Sequence, residues 1–267
     1  IFPRLIQGMD NVLSESGYSI ILKNTANSRQ KEARCLEELL KKDIDGLIIE
    51  PSKSEMICKH RNLYQNLDKF EIPYVFIQGI YSEMRDKPHI LMDDAQGGYL
   101  VTRYLLELGH KRIGCIAGPE DMPLCHYRLQ GYVQALRRSG ITVDPHFIAR
   151  GDFTYEAGAN ALKQLLALPQ PPTAVFCHSD VMALGALSYA KRQGLKVPDD
   201  LSIIGFDNIS LAEFCDPPLT TVAQPRFDIG REAMLLLLDQ LQGQSVSSGS
   251  RLLDCELIIR GTTRALT

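Results

Sequence analysis

Apolar positions recur along this chain with alternating periods. Leu5, Ile6, Met9, Val12 and Leu13 fall three or four apart, the spacing of one helix face, and Gly17 follows as a stop. Residues 19–22 form a short apolar run and predict a buried strand. Residues 31–42 then predict a helix, with Ala33, Leu36, Leu39 and Leu40 on one face. Residues 46–50 read as a strand closed by Pro51, residues 57–67 as a helix, and residues 72–77 as a strand. Asp94 is placed to cap a helix running to Leu108, which Gly109 ends. Strand 111–117 follows, then helix 127–139, helix 155–168, strand 173–177, helix 181–193, strands 201–205 and 220–223, and helix 227–241. Residues 243–250 are a Gly/Ser-rich loop, and 252–259 predict one closing strand.

Strands separated by amphipathic helices imply parallel sheets joined by right-handed crossovers, covered on both faces. Ligands in such folds gather at the carboxyl ends of the strands. The length of 267 residues suggests two lobes at a working figure of ~150 residues per domain. The 29 basic residues against 32 acidic ones leave a net charge of −3, which disfavours DNA binding by this sequence itself. No apolar run approaches the roughly 20 residues of a membrane-spanning helix. Seven cysteines, none in a C-x-x-C pair, argue against both a disulfide framework and a cysteine zinc site, and fit a reducing cytoplasm. The chain opens on Ile1 and enters a helical pattern at once, with no signal-peptide core, so a preceding segment is expected.

Linear catalytic motifs are absent. There is no G-x-G-x-x-G, no P-loop and no G-x-S-x-G elbow. The six histidines are scattered, without the spacing that sets two ligands on one helix face, so no metal and no cofactor is expected. His110 reads as a turn-stabilising residue, and Asp94 of the Asp93-Asp94 pair as a helix cap.

Several ordered blocks carry a resemblance. Gly109-His-Lys-Arg-Ile-Gly-Cys-Ile-Ala-Gly-Pro119 is similar to the G-H-x-x-I-x-x-I-x-G-P segment of the lactose-repressor (LacI/GalR) family of bacterial regulators. Arg128-Leu-Gln-Gly-Tyr-Val-Gln-Ala135 resembles its R-x-x-G-[FY]-x-x-A helix. Residues 172–185, 197–207, 218–224 and 257–263 resemble four further blocks, so the likeness covers nearly the whole chain. In the first half, residues 45–54, 64–67, 80–83 and 93–98 resemble the effector domain of arabinose repressors, although the loop from Pro119 to Tyr127 departs from that type.

The resemblance implies a periplasmic-binding-protein-like type I fold: two Rossmann-like α/β lobes with parallel sheets, joined by three crossovers. The N-terminal lobe would take residues 1–118 and 224–254, and the C-terminal lobe residues 119–223 and 255–267. It implies a non-enzymatic cytoplasmic homodimer that binds a small sugar between the lobes, arabinose being one candidate, and thereby changes operator affinity. Operator DNA would be read by an N-terminal domain outside this sequence, whose first central strand would also precede Ile1.

The resemblance places Arg128 against the effector, and a guanidinium forks well to neighbouring hydroxyls. Asp207 ends a strand, either as a carboxylate accepting two sugar hydroxyls or as an Asx-turn residue. Ser179 is a polar contact in the family, and Asp180 beside it is read as a helix cap. Phe176 either stacks on the effector or packs the core. Phe2, Gln224, Gln78 and Glu50 complete the candidate set. Two rivals remain at this level: a periplasmic sugar-binding protein, and an α/β sugar or nucleoside hydrolase with a catalytic carboxylate in the cleft.

Overall fold

Alternating strands and helices do form, and most fall where the residue pattern places them. The computed structural model describes residues 2–14, 16–52, 58–243 and 249–266. In chain order the first elements are α1 (Phe2–Leu13), α2 (Arg29–Leu40), β1 (Leu47–Ile49), α3 (Arg61–Lys69), β2 (Tyr74–Ile77) and β3 (His89–Met92). Then come α4 (Asp94–Glu107), β4 (Ile113–Ala117), α5 (Pro123–Arg138), β5 (Ile148–Arg150), α6 (Tyr155–Leu166), β6 (Ala174–Cys177) and α7 (Asp180–Arg192). The last are β7 (Ser202–Ile204), α8 (Ser210–Phe214), β8 (Thr221–Ala223), α9 (Arg226–Leu241), β9 (Ser250–Leu253) and β10 (Glu256–Ile258).

Two compact units result. The first holds Ile1–Met92 and Pro225–Leu253, the second Asp93–Gln224 and Asp254–Thr267. In the first unit a parallel sheet runs in the order β1-β2-β3-β9. Leu36, Leu63, Leu67 and Phe76 fill its core. The second unit carries a parallel sheet in the order β5-β4-β6-β7, with Ile116, Leu162, Val175, Met182 and Ile203 in its core. It also holds a two-stranded antiparallel ribbon of β8 and β10.

Residues 93–118 lie in the second unit, although the sequence reading puts them in the first lobe. The cause is pairing: β4 sits between β5 and β6, and α4 packs on α5. That helix pair approaches so closely that a Cβ on Gly131 would collide with the Ala95 carbonyl, and one on Gly98 with the Arg128 carbonyl. Only hydrogen fits at these two positions.

Residues 19–22 form no strand. Ile21 and Leu22 are 56% and 67% exposed, and the segment pairs with no strand among the described residues. A strand's backbone groups need a ladder, and apolar composition alone does not provide one. The single closing strand of the sequence reading is instead β9 and β10, broken at Asp254-Cys255 and divided between two sheets. Residue 57, the expected start of the third helix, lies outside the described residues, and α3 begins at Arg61. His110 does stabilise its turn: its ring joins Thr173 Oγ1 at 2.9 Å and the Arg264 carbonyl at 3.1 Å.

Candidate functional site

Two helices of the second unit, α7 after β6 and α4 after β3, begin with a cap followed by an acid. In α7, Ser179 is the cap, accepting the Met182 N–H at 3.2 Å, and Asp180 is the first helical residue. In α4, Asp93 is the cap, accepting the Gln96 N–H at 2.8 Å. Asp94 is therefore not the cap that the sequence reading made it, nor is Asp180. An Ncap side chain bends back onto the helix's own amides, which leaves the next carboxylate free to reach outward.

Asp94 reaches Arg128. The Arg128 Nε donates to its Oδ1 at 2.7 Å, and both side chains are nearly buried. The guanidinium also donates through Nη1 to the His178 carbonyl at 2.5 Å and lies over the Phe206 ring, 3.7 Å from its centroid. Burial pushes the Asp94 carboxyl up, and the Arg128 charge offsets part of that rise. Burial works equally against the Arg128 charge, but Asp94 and Asp207 outweigh it and the guanidinium holds its proton more firmly than usual. His178 is held neutral, well below the ordinary imidazole range, by burial and by the charges of Arg128 and Arg150. Its Nδ1 accepts the Gly118 N–H at 3.3 Å, which leaves the proton on Nε2, facing Cys115 Sγ at 3.4 Å.

Beyond β7 the chain turns through Asp207 and Asn208, with φ of +113° and +48°. Backbone angles of this kind cost about 1–3 kcal/mol each and persist only where surroundings impose them. Asp207 Oδ1 accepts a hydrogen bond from Gln224 Nε2 at 2.5 Å. Both residues are half-buried. Arg128, Asp207 and Gln224 are thus brought together, with Asp94 and Phe206 as members that the sequence reading did not assign to the site. Phe206 carried a signal, since it directly precedes Asp207 at a strand end. A neutral amide, a carboxylate and a guanidinium close together can accept from and donate to several hydroxyl groups.

The remaining candidates fare differently. Phe176 is completely buried, its ring 5.1 Å from His178 and 6.3 Å from Phe206, so it packs the core instead of presenting a face. The Ser179 hydroxyl oxygen accepts at the α7 start, and its own proton remains available to donate. Three candidates lie in the first unit. Gln78 follows β2 with φ +59° and donates its N–H to the Ile90 carbonyl at 3.1 Å. Glu50 is exposed just past β1, with the Arg226 charge near it. Phe2 opens α1, and its side chain lies outside the described residues.

The first unit holds a second polar cluster that sequence reading missed. Glu32 of α2, 2% exposed, accepts from the Ser52 N–H (2.5 Å), Tyr64 hydroxyl (2.6 Å), His60 Nε2 (2.8 Å) and Tyr81 hydroxyl (2.9 Å). Burial opposes the carboxylate, but these bonds outweigh it and hold Glu32 below its usual range. Hydrogen bonds to Cys58 and Glu32 raise the His60 imidazole to about 9. The four donors tie the segments after β1 and β2 to the start of α3. No group of three metal-ligating side chains is found among the described residues, nor a helix long and apolar enough to cross a membrane.

Residues 102–263 match the family model of a periplasmic binding protein-like domain. The chain is 59% identical to the HTH-type transcriptional repressor CytR of Escherichia coli (strain K12), over 99% of this chain and 76% of that protein. It is 35% identical to the HTH-type transcriptional repressor PurR of Vibrio atlanticus, over 99% of this chain and 78% of that protein. Among solved structures it resembles the transcriptional regulator CelR–cellobiose complex, with a TM-score of 0.85, 33% identity, and 98% and 78% of the two chains covered. It also resembles a LacI family regulator from Enterococcus faecium with bound ribose, with a TM-score of 0.85, 30% identity, and 100% and 95% covered. The finer likeness to arabinose repressors drawn from the first half is not supported: the 59% identity is to CytR.

Proposed function

The chain belongs to the LacI family of transcriptional regulators, as the effector-binding part of a CytR-like repressor, and we propose that its effector is a small hydroxyl-rich molecule, a sugar or a sugar-bearing compound. The observation that carries this reading is the grouping, in the second unit, of Arg128 of α5 with Asp207, just past β7, and Gln224, just past β8. Arg128 is already oriented by Asp94, the His178 carbonyl and the Phe206 ring, so it meets a ligand oxygen with little further ordering. Asp207 accepts from ligand hydroxyls, and the Gln224 amide both donates and accepts. Two LacI-fold relatives with bound cellobiose and ribose support the sugar class.

The effector acts by differential affinity. It favours the conformation in which these groups converge on it, and that shift changes the operator affinity of the whole repressor. DNA contact is assigned to a part of the protein outside this sequence, since 32 acidic residues against 29 basic ones suit a sensor better than a DNA reader. A homodimer in the cytoplasm, presenting two such readers to a two-fold operator, completes the reading.

A thermal-shift screen of pentoses, hexoses, their phosphates and ribonucleosides tests the proposal. At least one sugar or sugar-bearing compound should raise Tm, and above its Kd the rise should follow the logarithm of its concentration. If none does so, the ligand class is wrong. If one does and variants at Arg128, Asp207 and Gln224 all bind it normally, the site is wrong.

A further inference from the structure

The left-handed pair Asp207 and Asn208 needs something to impose it, and the surrounding bonds converge on one residue. The Asp180 N–H donates to the Phe206 carbonyl at 2.7 Å. The Asp180 Oδ2 accepts the Ile209 N–H at 2.8 Å. These two bonds bracket the turn from both ends. Within it, the Asn208 N–H donates to Thr221 Oγ1 at 3.3 Å, and the Thr221 hydroxyl donates in turn to Asp180 Oδ1 at 2.5 Å. The Asp207 N–H goes to the Val222 carbonyl at 2.9 Å. Asp180 is completely buried, and Gly205 carries no side chain where the carboxylate lies; a Cβ there would collide with Oδ1.

We propose that Asp180 is the positioning residue of the effector site: its ionised carboxylate holds Phe206 beneath Arg128 and Asp207 against Gln224, and its protonation loosens that turn. The inference rests on the reading of Arg128, Asp207 and Gln224 as the effector-contacting set. An ionised carboxylate accepts both bonds at once. A protonated one carries a donor on one oxygen. On Oδ2 that proton faces the Ile209 N–H, donor against donor. On Oδ1 it meets the Thr221 hydroxyl proton, which must turn away, and the acid proton then competes with the Asn208 N–H for the Thr221 oxygen. Burial pushes the Asp180 carboxyl up to about 7, so the change falls near neutral pH. Asp207 adds to the rise and Arg260 opposes it, while the Thr221 hydroxyl and Ile209 N–H favour the ion. The thiols of Cys177 and Cys215 also face Asp180, and burial keeps both protonated.

Amide hydrogen exchange of residues 207–209, resolved by NMR in the whole chain and corrected for intrinsic pH dependence, tests this. Protection of the Asn208 and Ile209 amides should fall at least about tenfold between pH 8 and pH 6. Asp180→Asn should leave both amides poorly protected at either pH. Thr221→Val should expose the Asn208 amide, and Thr221→Ser should restore it. Protection that ignores pH, or an Asp180→Asn protein protected like wild type, overturns the proposal. Should Asp180→Asn fail to fold, the wild-type profile and the Thr221 pair decide alone. Gln224→Ala separates the two readings, because it leaves the brace untouched. Screened against the same sugars and ribonucleosides, unchanged binding by Gln224→Ala and the Arg128 variants would remove the effector-site reading while the exchange result stood by itself.

Discussion

The guanidinium carbon of Arg128 stands 3.7 Å from the centre of the Phe206 ring, and the Arg128 Nε holds Asp94 at 2.7 Å. The pair is buried, so its charges are balanced against each other at close range with little water between them. A buried ion pair adds little net stability, but breaking it is costly, because the survivor is left charged in a poor solvent.

Arg128→Ala is therefore expected to abolish effector binding and to destabilise the fold by about 3–5 kcal/mol. Replacing both partners, Asp94→Leu with Arg128→Met, should recover most of that stability and none of the binding. Denaturant titration beside calorimetry with a sugar from the screen reads both quantities. A double variant that binds normally would show that the arginine serves only its own ion pair.

Asp207 carries a Cβ at φ +113°. Asp207→Gly and Asp207→Ala both remove the carboxylate, and both should weaken effector binding at least about tenfold. They should differ in stability, because glycine accepts this backbone without strain and alanine does not. Asp207→Gly is expected to be the more stable by about 1 kcal/mol. Equal midpoints in urea would mean that the turn is unstrained.

Gly131→Ala places a methyl against the Ala95 carbonyl, so α4 and α5 must move apart. The cost should be about 1–3 kcal/mol. Asp94 rides on α4 and Arg128 on α5, so effector affinity should fall as well, although neither helix contact touches the ligand. Loss of stability with unchanged affinity would uncouple the helix crossing from the site.

In the first unit, His60 titrates at about 9 when folded against an ordinary 6.5, so its stabilising contribution is complete below pH 6.5 and is lost as pH rises through 9. Glu32 lies below its ordinary 4.5, so its contribution is present above that value and is lost as pH falls through the folded value. The Glu32–His60 cluster should therefore stabilise most between about pH 4.5 and 6.5, with about 3 kcal/mol lost on the alkaline side. Thermal melts across pH 5 to 10 should show that decline, and His60→Asn should flatten it.

Much of this organisation is legible in the residue pattern. The helices show clear apolar faces, and the glycine stops at Gly109, Gly140 and Gly194 do sit in left-handed conformation. Short strands carry less information. β3 alternates half-buried and buried residues over four positions, and β5 has only three, so neither stands out from its flanks. Residues 19–22 mislead for the opposite reason, being apolar without a ladder. At the site, strand-end logic leads to Asp207, and family likeness leads to Arg128 and Gln224. Partnerships are harder to read. Asp94 meets Arg128 across 34 positions, and Glu32 meets Tyr81 across 49, distances over which local pattern is silent.

Arg128 does not face the site as a bare cation. Asp94 sits on it, Asp207 stands near it, and Asp180 lies behind the turn. The consequence is discrimination by charge. A phosphorylated sugar would bring about two negative charges to a face whose arginine is already neutralised and whose neighbours are carboxylates. The free sugar brings none. The proposed site would thus favour a neutral compound over its phosphate, and each phosphate in the screen should bind more weakly than the uncharged parent.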